Sequence, residues 1–176
     1  MQVIQEYTNA RIGILGNPSD GYFGATIAAT IQNFAAHVIL YEWPQIEILP
    51  GPADADKFSS ISDLVQQIQA SGYYGGTRLI KGTIKKFWDY LQKNHISLAD
   101  SKKNFSIRYE STIPRQVGLA GSSAIIISTL KALCQFYDVT IPLPILPNIA
   151  LSVEKEELGI QGGLQDRVAQ VYGGLV

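Results

Sequence analysis

The chain has 176 residues, 46% hydrophobic and 16% charged, which suits one domain with a real core and excludes a disordered segment. Its formal net charge of −1 offers no basic field for nucleic acid or anionic lipid, and no apolar run reaches membrane-spanning length. Cys134 is the only cysteine, so an intrachain disulfide is excluded, and His37 and His95 stand far apart without a Cys/His cluster that would suggest zinc.

Residues 1–7 and 11–15 are predicted as short strands joined by a turn at Thr8-Asn9-Ala10. Gly16 to Gly24 is dense in turn formers and is a loop that contains Asp20. Strands at 26–31, 36–43 and 46–49 follow, punctuated by Gln32-Asn33 and Pro44, so the first third is a β-rich layer. Residues 51–57 form a connection. Ile61, Leu64, Val65 and Ile68 then recur at helical spacing behind Ser59, Ser60 and Ser62 as caps. Residues 71–76 are a break, and Leu79, Ile80, Ile84, Phe87, Trp88 and Leu91 mark an amphipathic helix over 77–94. Residues 105–110 are a strand.

Ile125, Ile126 and Ile127 favour a strand, whereas Leu130, Leu133, Cys134 and Tyr137 continue a helical stripe, so a helix is expected behind residue 121. Pro142, Pro144 and Pro147 close it. A second stripe runs through Leu146, Ile149, Ala150, Val153, Glu154 and Leu158, and 168–176 is expected to begin a strand. Lys85-Lys86 and Lys102-Lys103 are read as solvated helix faces. The N-terminus lacks the basic start and apolar core of a signal peptide, so the expected compartment is the cytoplasm.

Three stretches carry residues suited to chemistry. In Pro114 to Ala124 a strand runs through glycines into a helix start, Gly118-Leu119-Ala120-Gly121-Ser122-Ser123. Amides at a helix N-terminus lack intrahelical partners and sit at the positive end of the macrodipole, so they hold phosphate. Ser122 and Ser123 either add hydroxyls to a phosphate or to Mg²⁺, or cap the helix. No lysine follows the glycines, so this is not a Walker A loop. Glu154 and, twelve residues on, Asp166 form a second constellation. Phosphoryl transfer to an alcohol uses such a pair, one acid for Mg²⁺ and one for the acceptor hydroxyl. Against this, Glu154-Lys155-Glu156-Glu157 also reads as a solvated face and Asp166-Arg167 as a surface turn. Asp20 is the third, either an Asx-turn residue or an acceptor for sugar hydroxyls.

In order and spacing, these stretches resemble the GHMP kinases (galactokinase, homoserine, mevalonate and phosphomevalonate kinases). Arg11 to Asp20 resembles the first motif of that superfamily, and Pro114 to Ala124 the second. Glu154 and Asp166 match its magnesium glutamate and catalytic aspartate. Gly16 to Gly24, Leu158 to Leu175 and Tyr74 to Arg78 resemble the glucuronokinase branch in particular. The resemblance covers nearly the whole chain.

That resemblance implies an α+β fold: a mixed or mostly antiparallel sheet with helices on one face. It implies transfer of the ATP γ-phosphate to the anomeric hydroxyl of D-glucuronate, with a nucleotide and a small sugar acid as partners and neither nucleic acid nor membrane. The implied roles are phosphate binding for Gly118, Leu119, Ala120, Gly121, Ser122 and Ser123, and Mg²⁺ binding for Ser123 and Glu154. Asp166 is the implied base or hydroxyl orienter, Arg11 offsets phosphoryl charge, and Asp20 holds sugar hydroxyls. A uronate also needs a cation for its carboxylate, for which Arg78, Arg115 and Arg167 are alternatives. Two departures stand out. Asn9-Ala10 replaces the usual Pro-Gly, and residues 1–176 match only the N-terminal domain, so a C-terminal GHMP domain is expected to be absent. Surface left uncovered by that absence is expected to favour self-association.

Overall fold

The computed structural model describes residues 3–49, 56–71, 77–114 and 117–176. Its described strands form a five-stranded mixed sheet in the order β1-β2-β5-β3-β4, with helices packed against it. The strands are β1 (Val3–Leu15), β2 (Ile27–Trp43), β3 (Ile46–Leu49), β4 (Asp56–Phe58) and β5 (Asn104–Ser111). Among the described strands, only the β3–β5 pairing is parallel. The expected α+β architecture is present.

The turn expected at Thr8-Asn9-Ala10 is instead part of the continuous strand β1. Asn9 pairs with Ala35 and Ala10 with Ile31, so the strand register shifts there and Gln32, Asn33 and Phe34 bulge from β2. The bulge absorbs both breaks that composition suggests, and one long hairpin replaces four short strands. In β1, Ile4, Thr8 and Ala10 point into the core while Val3, Gln5 and Tyr7 are exposed, the alternation of a sheet covered on one face. β4 begins at Asp56, inside the stretch read as a connection, and pairs with β3.

Helix α1 (Ile61–Ser71) starts with a reciprocal cap. The Asp63 N–H donates to Ser60 Oγ (3.1 Å), and the Asp63 carboxylate accepts from the Ser59 N–H (2.9 Å). Helix α2 (Arg78–Lys93) follows its predicted span and buries Ile80, Ile84, Phe87 and Leu91 completely. Helix α3 (Gly121–Tyr137) overrides the strand preference of Ile125 to Ile127 because it lies at the centre of the molecule. It is packed against β1, β2, α2 and the two helices that follow it in the chain, so apolar residues are buried nearly all round it.

Helix α4 (Leu146–Ser152) continues into a widened π-helical turn, Val153–Glu157. The strand expected over 168–176 is instead helix α5 (Gln165–Tyr172), whose buried polar residues Arg167 and Gln170 bond to groups on other segments. Beyond it the chain adds its last residues alongside β2, where Ala28 and Val176 exchange two backbone hydrogen bonds of 2.9 Å.

Lys102 and Lys103 lie in the turn before β5 rather than on a helix. Lys103 Nζ sits 4.2 Å from the centre of the Phe136 ring. Burial raises the Cys134 thiol to about 11, which makes it a packing residue and not a nucleophile. Among the described residues, no helix is long and apolar enough to cross a membrane.

Candidate active site

The glycine-bearing loop leaves β5 and enters α3 through two left-handed residues, Gly118 (φ +75°) and Ala120 (φ 60°, ψ 44°). Glycine adopts that conformation freely, whereas alanine needs its surroundings to hold it. The hold comes from β1. The Arg11 backbone N–H donates to the Leu119 carbonyl (3.2 Å), and its guanidinium donates to the Gly118 carbonyl (3.3 Å). With these carbonyls turned toward β1, the amides of Gly121, Ser122 and Ser123 precede the first intrahelical bond, from Ala124 N–H to Ala120. Gly121 and Ser122 line a cavity of about 650 Å³, together with Arg78, Tyr109, Glu110, Pro114 and the loop from Gly118 to Ala120.

The two serines diverge. Ser122 donates its hydroxyl to Glu154 Oε1 at 2.6 Å. Ser123 is fully buried, with its hydroxyl 2.7 Å from Gln170 Oε1 and 3.2 Å from the Ala120 carbonyl. One residue along a helix turns a side chain by about 100°. That rotation carries the Ser123 hydroxyl into the core, so Ser122, and not the Ser123 expected to share Mg²⁺ with Glu154, is the serine that meets this carboxylate. The Gln170 amide completes the support, donating to the carbonyls of both Asn9 (3.1 Å) and Ala120 (2.9 Å).

On the other side of Ser122 lies a second cavity, of about 560 Å³, lined among others by Arg11, Asp20, Glu154, Lys155, Asp166 and Arg167. Ser122 borders both cavities. Glu154 is only 1% exposed, so the solvated-face reading of its run is wrong for this residue. Its second oxygen accepts from the Arg167 guanidinium, and Arg167 also donates to the Gly163 carbonyl at 2.7 Å. Asp166 accepts from the Arg11 guanidinium, and its other oxygen lies 3.6 Å from Arg167. Asp20 accepts from the Gln165 N–H (2.8 Å) at the first turn of α5. A Cβ on residue 163 would overlap the Asp20 carboxylate, which explains a glycine there.

Burial pulls the Arg11 guanidinium below its usual range, with Asp20 acting the other way. Burial, then the charge of Arg11, brings Arg167 down to about 10, against the pull of Asp20. Both remain cations at neutral pH, as partners of Asp166 and Glu154 must.

The structure therefore brings together Arg11, Asp20, Ser122, Glu154, Asp166 and Arg167. Arg78 lines the other cavity, and Arg115 lies outside the described residues. Arg167 is 4% exposed and already engaged by Glu154 and Gly163, which removes it as a free cation for a ligand carboxylate. Sequence reasoning missed Gln170 and Lys155. Nothing in the composition around Gln170 marks it. The signal for Lys155 was its place beside Glu154, obscured by the surrounding charges.

The family model for the GHMP kinases N terminal domain matches residues 78–174. Two curated relatives from Arabidopsis thaliana are similar over 98% of the chain: Glucuronokinase 1, 51% identical, and Probable glucuronokinase 2, 49% identical. The chain spans about half the length of each, 48% and 47%. Among solved structures, a mevalonate kinase superposes with a TM-score of 0.80 at 21% identity, covering 98% of this chain and 52% of its own; at that identity it speaks for the fold alone.

Proposed function

The chain belongs to the GHMP kinases through their N-terminal domain, and from that premise we propose that residues 1–176 supply the ATP-binding and catalytic part of a sugar-1-kinase for D-glucuronate. Similarity to two glucuronokinases at about half identity supports the choice of sugar. The observation that carries the reading is the position of Ser122. It borders both cavities, stands at the helix N-terminus that suits phosphate, and bonds the buried acid Glu154.

In this reading the triphosphate lies along the amides of Gly121 to Ser123, and the sugar occupies the cavity bordered by Asp20 and Asp166. Mg²⁺ fits the donors present: a hydroxyl and a carboxylate, both hard oxygens, beside a phosphate cradle, where that ion takes few protein ligands and several phosphate oxygens. Ser122 and Glu154 would hold it, and when bound it neutralises phosphate charge. Asp166 accepts the hydrogen bond of the anomeric hydroxyl and takes its proton as the new O–P bond forms and ADP leaves. Arg11, held beside Asp166 and the loop, offsets the negative charge of the phosphoryl group in transit. Asp20 accepts from sugar hydroxyls while anchored to α5. A cytoplasmic setting, where ATP and a reduced Cys134 coexist, belongs to the same proposal.

The test is Asp166→Ala in the full-length protein. ATP-dependent phosphorylation of glucuronate, read as ADP release, should fall by about 10²–10⁴-fold while the fold persists. Undiminished turnover would overturn the role of Asp166.

A further inference from the structure

The proposed acceptor bears a carboxylate, and the sequence alone leaves three arginines to receive it. Arg78 lines the other cavity, Arg167 is already engaged, and Arg115 lies outside the described residues. Among the described residues, three cations line the acceptor cavity: Arg11, Lys155 and Arg167. Arg11 is committed to Asp166 and the Gly118 carbonyl, and Arg167 to Glu154 and the Gly163 carbonyl; both are more than nine-tenths buried. Lys155 is exposed, and among the described residues it enters no ion pair. Resting on the kinase reading above, we propose that Lys155 receives the carboxylate of the sugar acid and so sets the preference for a uronate over a neutral acceptor.

The reason Lys155 stays available lies in its neighbours. It sits in a run of acids, and in a regular exposed helix those acids would compete for it. Here Glu156 is bonded by Lys86 Nζ (2.6 Å) and Glu157 by Lys85 Nζ (2.8 Å), both from α2. Of the carboxylates in the cavity, Glu154 and Asp166 are held by arginines, and Asp20 by the Gln165 N–H.

The π-helical turn contributes as well. Its wider winding lets Glu154, buried, and Lys155, exposed, line the same cavity although they are consecutive. Glu154 thus faces Ser122 at the phosphate end, and Lys155 stands on the acceptor side of the same turn. A pyranuronate carries its carboxylate across the ring oxygen from its anomeric carbon. When the anomeric hydroxyl faces Asp166, the acid group is held away from the phosphates, within reach of a long, flexible ammonium side chain.

The experiment compares wild type with Lys155→Ala and Lys155→Arg in the full-length protein, using glucuronate and glucuronamide, its uncharged counterpart, as acceptors. In Lys155→Ala the KM for glucuronate should rise about tenfold or more, as befits a lost charge-assisted hydrogen bond. Preference for the acid over the amide should collapse, while KM for ATP stays put. Lys155→Arg should restore much of the preference. Wild-type KM and acid preference in Lys155→Ala, with glucuronate turnover intact, would overturn the role of Lys155 alone. Failure of the wild-type protein to turn over any sugar would overturn the kinase reading and the lysine's role together.

Discussion

The two sides of Ser122 are built in opposite ways. Toward the cavity proposed for the nucleotide, contiguous residues and backbone groups do the work: Gly118 to Ser122, shaped by two left-handed residues and a helix start. Toward the cavity proposed for the acceptor, side chains from three separate segments meet, around Asp20, Glu154 and Asp166, and ion pairs with Arg167 and Arg11 hold the latter two. A backbone cradle is a local feature and survives most changes elsewhere. A cluster of buried charges is a tertiary feature, in which removing one member strands another. Substitutions on the acceptor side should therefore cost stability as well as activity, and those on the phosphate side should separate the two.

The strongest trial of that contrast is Arg167→Met. It leaves Glu154 buried without its cation, and unfolding in urea should show a loss of about 3–5 kcal/mol. Adding Glu154→Gln should recover most of it, because the uncompensated charge is then gone; a loss under about 1 kcal/mol in the single variant would show the pair to be well solvated. The serine pair provides a finer trial. Ser123→Ala leaves the buried Gln170 Oε1 without its donor and should cost about 1–3 kcal/mol of stability. Ser122→Ala should cost less stability than that yet depress phosphoryl transfer more, since its hydroxyl borders both cavities.

The smallest effect concerns the α2 ladder to the π-helical turn. Burial works against charged Lys85 and Lys86, but bonds to Asp89, Glu156 and Glu157 outweigh it and raise both above 10.5. Their stabilisation is complete below the unfolded lysine value and fades as pH climbs through the raised folded ones. Lys86→Ala should therefore lower stability at pH 8 by at most about 1 kcal/mol, and the gap to wild type should narrow in alkaline urea titrations.

Much of this was legible in advance where a feature depends on neighbouring residues. The span of α2 follows from its apolar stripe, and the loop-to-helix start at Gly121 from glycine and serine placed ahead of an apolar run. The continuous β1 was not, because nothing in Thr8-Asn9-Ala10 announces that Ala35 and Ile31 will pair across a bulge. Helix α5 was hidden for a related reason. Its valines suggest a strand, and it is the tertiary partners of Gln165, Arg167 and Gln170 that favour a helix. The choice between Ser122 and Ser123 is a matter of helical phase, which two adjacent identical residues cannot reveal. Lys155 was masked by acids whose partners lie on α2, far away in sequence.

Helix α5 has one more consequence. Asp166 and Gln170 are four positions apart, hence on one face of a short, stiff rod. One end grips Arg11; the other clips together the Asn9 bulge and the Ala120 carbonyl beneath the phosphate loop. The rod thus works as a caliper whose jaws are the proposed proton acceptor and the floor of the proposed anion cradle. Slipping it by a single residue would open both jaws at once.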